Sequence, residues 1–141
     1  MMDKGRYEEL VAELKEGKSN CIIIKGEDAY RFCLPGVRTL MTLLKENPGL
    51  LKGSVIFDKV VGKGAAALII LGEVKEIYAD IISEHAVRLL TTTDIKFRYE
   101  EKVPFIENKT KDGVCPIEIL SISCSDPKDI HEKISMFFST M

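Results

Sequence analysis

The chain has 141 residues, 45% of them apolar and 30% charged, a length and balance that build one domain, residues 1–141, around a sizeable core. A formal net charge of -2 excludes a dedicated duplex nucleic-acid binder, which would carry a basic face. No apolar run reaches membrane-spanning length and the opening MMDKGRYEEL lacks a secretory pattern, so the expected location is cytoplasmic, with no membrane partner.

Residues 3–16 predict a helix. Tyr7, Leu10, Val11 and Leu14 recur at i, i+3, i+4 and i+7, and Gly17 is placed to stop it. NCIIIK and AYRFCL, either side of GED, predict a β-hairpin. A turn centred on Glu27 would set Cys21 opposite Cys33. CIIIK is apolar on both faces, so helices should cover both sides of the sheet. PGVRTLMTLLKENPG predicts a second helix with Leu40, Leu43 and Leu44 as its stripe and Pro48-Gly49 as its end.

GSVIFDKVV predicts a third strand ending near Asp58 or Lys59, and residues 62–72 a helix so apolar all round that it must be buried. EVKEIYADI reads as a strand, SEHAVRLLTT as a short helix capped by Ser83, and IKFRYEE as a further strand. VPFIENKTKDG is a loop of a length that often carries function. CPIEILSIS opens like a helix with Pro116 at its first position, although Ile and Ser alternate as in a strand farther on. DPKDIHEKISMFF closes the chain as an amphipathic helix capped by Asp126.

Strands and helices alternate after residue 50, which implies parallel neighbours joined by right-handed crossovers. The opening hairpin makes the sheet mixed. The expected fold class is α/β, a three-layer α/β/α sandwich with a mixed sheet. The four cysteines, Cys21, Cys33, Cys115 and Cys124, form no CxxC pair, and only His85 and His131 could add nitrogen ligands. That spacing carries no zinc signature, and no cofactor motif is present. Four free thiols, most of them buried, are expected.

The blocks PGVRTLMTLL, LKGSVIFDKVVGKGAAALI, SEHAVRLL and VPFIENKTKDGVCPIEIL resemble, one after another, a small bacterial family of unknown function with a cytidine deaminase-like fold. The resemblance implies that form of the sandwich, and self-association as a homo-oligomer. Zinc enzymes of that superfamily carry His-x-Glu at the start of one helix and Pro-Cys-x-x-Cys at the start of the next. By order of elements the first motif falls where this chain has Gly62, Lys63, Gly64, Ala65 and Ala66. The second falls at ISEHA, with Ser83 and Ala86 in the thiolate places. A catalytic zinc needs about three protein ligands, so no metal and no zinc-dependent deamination are expected.

The same resemblance sets the two helix starts side by side. Their free N–H groups, with the charge of Lys59 and Lys63, suit an anion. The first reading is therefore a domain that binds an anionic small molecule, a phosphate- or carboxylate-bearing metabolite or a nucleotide. Asp58, Lys59, Gly62, Lys63 and Gly64 would supply one side of that site, and Ser83, Glu84, His85 and Asn108 the other. The plainer alternative is that the two glycines permit close packing and the lysines are solvated. A second reading is a cysteine-dependent enzyme, with Cys115 at a helix start as nucleophile, His85 as base and Asn108 completing the set. A third is a homo-oligomeric interaction module.

Overall fold

The period-3.6 stripe of the first segment becomes α1 (Lys4–Lys15), which ends at Gly17 in a left-handed turn with φ +82°. β1 (Cys21–Lys25) and β2 (Asp28–Phe32) follow as the expected hairpin. The computed structural model describes residues 2–140. α2 (Gly36–Glu46), α3 (Pro48–Leu51), β3 (Val55–Val61), α4 (Lys63–Leu71), β4 (Glu76–Ser83), α5 (Glu84–Thr91), β5 (Lys96–Val103), α6 (Pro116–Ile122) and α7 (Pro127–Ser139) complete it. Among the described residues no helix is long and apolar enough to cross a membrane.

The five strands form one mixed sheet in the order β2-β1-β3-β4-β5. β1 runs antiparallel to both its neighbours, and β3, β4 and β5 are parallel. The connections from β2 to β3, β3 to β4 and β4 to β5 all step across the sheet in one direction. Right-handed crossovers then place their helices on one face. Leu40 of α2, Ala66 and Leu68 of α4, Leu90 of α5 and Ile134 of α7 accordingly share one core with Ile23, Ile56 and Ile77 of the sheet. On the opposite face Leu10 and Leu14 of α1 pack on Ile22, Ile24, Phe57 and Tyr78, with the Tyr7 ring 5.1 Å from that of Phe57. β1 is thus buried from both sides, as its continuous apolar run required.

Three local expectations are corrected. The hairpin turn is two residues long, Gly26-Glu27, so Cys21 pairs with Phe32 and not with Cys33. Gly26 has φ +62°, the first-position geometry for which a type II′ hairpin selects glycine. That one-residue difference leaves Cys33 beyond the strand end and exposed. Only Cys21 of the four free thiols is buried. α2 stops at Glu46, just before Pro48-Gly49 as expected, and that pair opens the one-turn α3, because proline suits a first helical position. β3 continues past Asp58 to Val61 because its parallel partner β4 extends alongside it. The stretch that could have been either helix or strand is α6.

Candidate functional site

The pleat of β3 decides where Asp58 goes. Ile56 faces the many-helix core and Phe57 faces α1, so Asp58 turns back to the many-helix side. It lies between Cys21 of β1 and Ala79 of β4 and is only 2% exposed. Its carboxyl presses on the first residue of α2. A Cβ on Gly36 would collide with Oδ2 and stand 2.8 Å from Cγ, so no other residue fits there without movement. Burial pushes the Asp58 carboxyl up to about 7. Backbone N–H groups of Val60 and Lys59 favour its charged form, and the nearby charge of Asp80 opposes it.

A cleft of about 630 Å³ opens beside this residue. It is bounded by the end of β3, by the starts of α2, α4 and α6, by loop residues 106–110 and by Phe137 and Phe138 near the end of α7. Ligand sites in open α/β sheets form at this carboxyl edge of the strands. The walls are mainly apolar. Lys109 and Arg38 line it as well, and the Arg38 guanidinium lies 4.6 Å above the Phe138 ring.

The neighbouring junction is closed. Glu118 of α6 is 1% exposed and reaches between three elements. Its Oε1 accepts from the Lys63 backbone N–H at 2.8 Å and from Ser83 Oγ at 3.1 Å. Its Oε2 accepts from the Ile106 N–H at 2.6 Å. Ser83 Oγ in turn accepts from the Ala86 N–H at 3.1 Å and caps α5. Gly62, the N-cap of α4, has no side chain to cap with, and Glu118 does that work from a distance. The group held between the two helix starts is therefore the chain's own carboxyl. A Cβ on Gly62 would stand 3.1 Å from Glu118 Oε1, and one on Gly64 2.5 Å from Ile117 Cγ2. Both glycines let α6 press on the first turn of α4.

The remaining sequence-derived candidates divide. Lys63 is buried, and its Nζ donates to the Ile122 carbonyl at 3.0 Å, closing the last turn of α6; burial lowers its pKa. Its amine is thus directed away from the cleft, a correction to its expected role as a cradle charge. Asn108 and Cys115 line the cleft with Asp58, and Lys59 borders it, but the alternation of β3 turns the Lys59 side chain toward α1, with its Nζ beside Gly17. The Asn108 amide is bound inside its own turn, donating to Asp112 Oδ1 at 2.9 Å and accepting from the Asp112 N–H at 3.2 Å. Glu84 lies 3.9 Å from Arg88 along the outside of α5. His85 is half-buried beside it and is not among the residues that line the cleft, whereas Cys115 is.

The zinc question can be tested on these residues. Residues 62–66 and 83–86 do stand at two helix starts, yet their side chains make no ligand set. Among the described residues no three His, Cys, Asp or Glu side chains gather to hold a metal ion. The residues do not fit a zinc centre.

Sequence reasoning passed over Glu118 and Gly36. A glutamate inside the apolar run CPIEILSIS, third residue of the helix that Pro116 opens, was the available signal for the first. The Pro-Gly step before an apolar helix was the signal for the second.

One family profile, described as TM1506, domain of unknown function (DUF1893), matches residues 9–138. No curated protein matches the sequence. Among solved structures the chain is similar to a DUF1893 family protein (TM1506) from Thermotoga maritima, determined at 2.70 Å resolution. The similarity covers 96% of this chain and 92% of that one, with a TM-score of 0.84 and 26% sequence identity.

Proposed function

The chain belongs to the DUF1893 (TM1506) family, and from that premise we propose that it is a small-molecule-binding domain whose ligand lies in the cleft beside Asp58. The observation that carries this is the cleft itself, about 630 Å³, largely apolar, with a buried carboxyl residue in its lining and Lys109 among its walls. Small-molecule sites have this make-up, an apolar body with a few converging polar groups. The ligand class is an anionic metabolite or a nucleotide. Its apolar part rests on Ile106 and Ile117, and its negative group meets Lys109. Asn108 serves by holding the loop wall in shape.

This reading takes the fold as a zinc-less, cytidine deaminase-like α/β/α sandwich. It is supported by α1 covering one face of a mixed sheet while the crossover helices cover the other. Free thiols accord with a cytoplasmic setting. A thermal-shift screen of nucleotides and phosphorylated metabolites tests the reading. A ligand present at about a hundred times its Kd stabilises by about 2.7 kcal/mol, a rise of several degrees that Lys109→Ala should reduce. No shift from any compound would sink it.

A second reading, a homo-oligomeric interaction module, is favoured by one observation. Ile119 and Ile122 of α6 and Met136 of α7 are large apolar side chains left exposed. Sedimentation of the full chain decides it, since a monomer at high micromolar concentration contradicts self-association.

A further inference from the structure

Asp58 gives the cleft a direction. Its Oδ2 is buried and has no hydrogen-bond partner among the described residues. A buried acceptor without a donor keeps the full cost of its lost hydration, so this floor is one donor short. Gly36, the residue pressed against it, brings no side chain. Lys59, on the same strand and bordering the same cleft, forms no ion pair with it. The last side-chain torsion of an aspartate is soft, so the oxygen can turn from Gly36 toward the space that the residue lines.

We propose that Asp58 selects ligands that bring a planar N–H donor, of the amidine or aminopyrimidine kind, to the floor of this cleft, while any anionic group stays outward at Lys109. The proposal rests on reading the cleft as a small-molecule site and adds a polarity to it. An N–H donor meeting an ionised carboxyl makes a charge-assisted bond. A carboxylate or phosphate at the same depth would meet a like charge in a poorly solvated place.

Benzamidine and benzoate test this, since they share a shape and carry opposite chemistry. Each is titrated into the full chain at pH 8 and followed by amide NMR shifts. Benzamidine should move the signals of cleft residues with an affinity at least about tenfold above that of benzoate. Asp58→Asn should remove that advantage. If both fragments bind the wild-type chain equally, the role given to Asp58 falls and the small-molecule reading stands. An advantage that survives in Asp58→Asn has the same consequence. Silence from both fragments and from the nucleotide panel takes down the reading and the proposal together. The wild-type comparison decides by itself, whether or not the variant folds.

Discussion

Glu118 and Asp58 are both buried carboxyl residues set against the first turn of a helix, α4 for one and α2 for the other. Glu118 receives donors from three elements at 2.6 to 3.1 Å. Asp58 keeps one oxygen without a partner. The contrast comes from how each side chain is delivered. Glu118 rides on a short helix that docks as a unit, so its carboxyl can settle where donors converge. Asp58 is held by strand register on both sides, and its neighbours adjust to it, down to a glycine at position 36. The same chemistry is thus structural at one junction and left open at the next.

The largest test of this contrast is Glu118→Ala. It strands three donors and should cost on the order of 5 kcal/mol in urea unfolding, with α4, α5 and the 104–115 loop loosening together. A loss below about 1 kcal/mol would show the junction to be idle. The second test exploits the titration of Asp58. Its carboxyl is pushed up to about 7 in the fold, against an ordinary value near 4 when unfolded. Between those values the folded chain holds the proton and the unfolded chain has released it. Stability therefore falls as pH rises through about 4 to 7, by up to about 4 kcal/mol, and levels off above that window. Cys21, its neighbour on β1, is itself pushed up by burial and does not titrate there. Asp58→Asn should flatten that slope, and an unchanged slope would assign the effect to another group.

Gly36→Ala comes third, at about 2 kcal/mol of destabilisation from overpacking against Asp58. The loss should be largely recovered in the Gly36→Ala/Asp58→Ala double variant, and strict additivity of the two changes would mean that they do not touch. The smallest effect is that of Lys63→Met. It should lower stability by about 1 kcal/mol through the lost bond to Ile122 and leave nucleotide-induced thermal shifts as they were. Loss of those shifts would restore Lys63 to the binding site.

Much of the scaffold was readable because its causes are local. The stripe of α1, the apolar run of β1, the Ser83 and Asp126 caps and the Pro116 helix start each lie within a few residues of what they determine. The hairpin was placed but misregistered, because GED allows its turn to be centred on either side of one peptide. The blocks that resemble a known family fall within the matched residues 9–138. For the candidate site, Asp58 was visible as a polar residue in a buried strand. Glu118 was not, because its partners lie 55, 35 and 12 residues away in the chain. Nothing in local pattern distinguishes a carboxyl that crosses the fold from one that caps its own helix.

Those long separations also have a kinetic meaning. The Glu118 junction can form only after β3, α4, β4 and α5 are in place and the loop after β5 has folded back. Loop closures of that kind come late in folding. Its bonds are then absent from the folding transition state. Glu118→Ala should steepen the escape from the native state and leave the refolding limb of a chevron plot nearly unmoved. The residue that fastens three elements would act as a brake on opening, with little part in the assembly of the sheet.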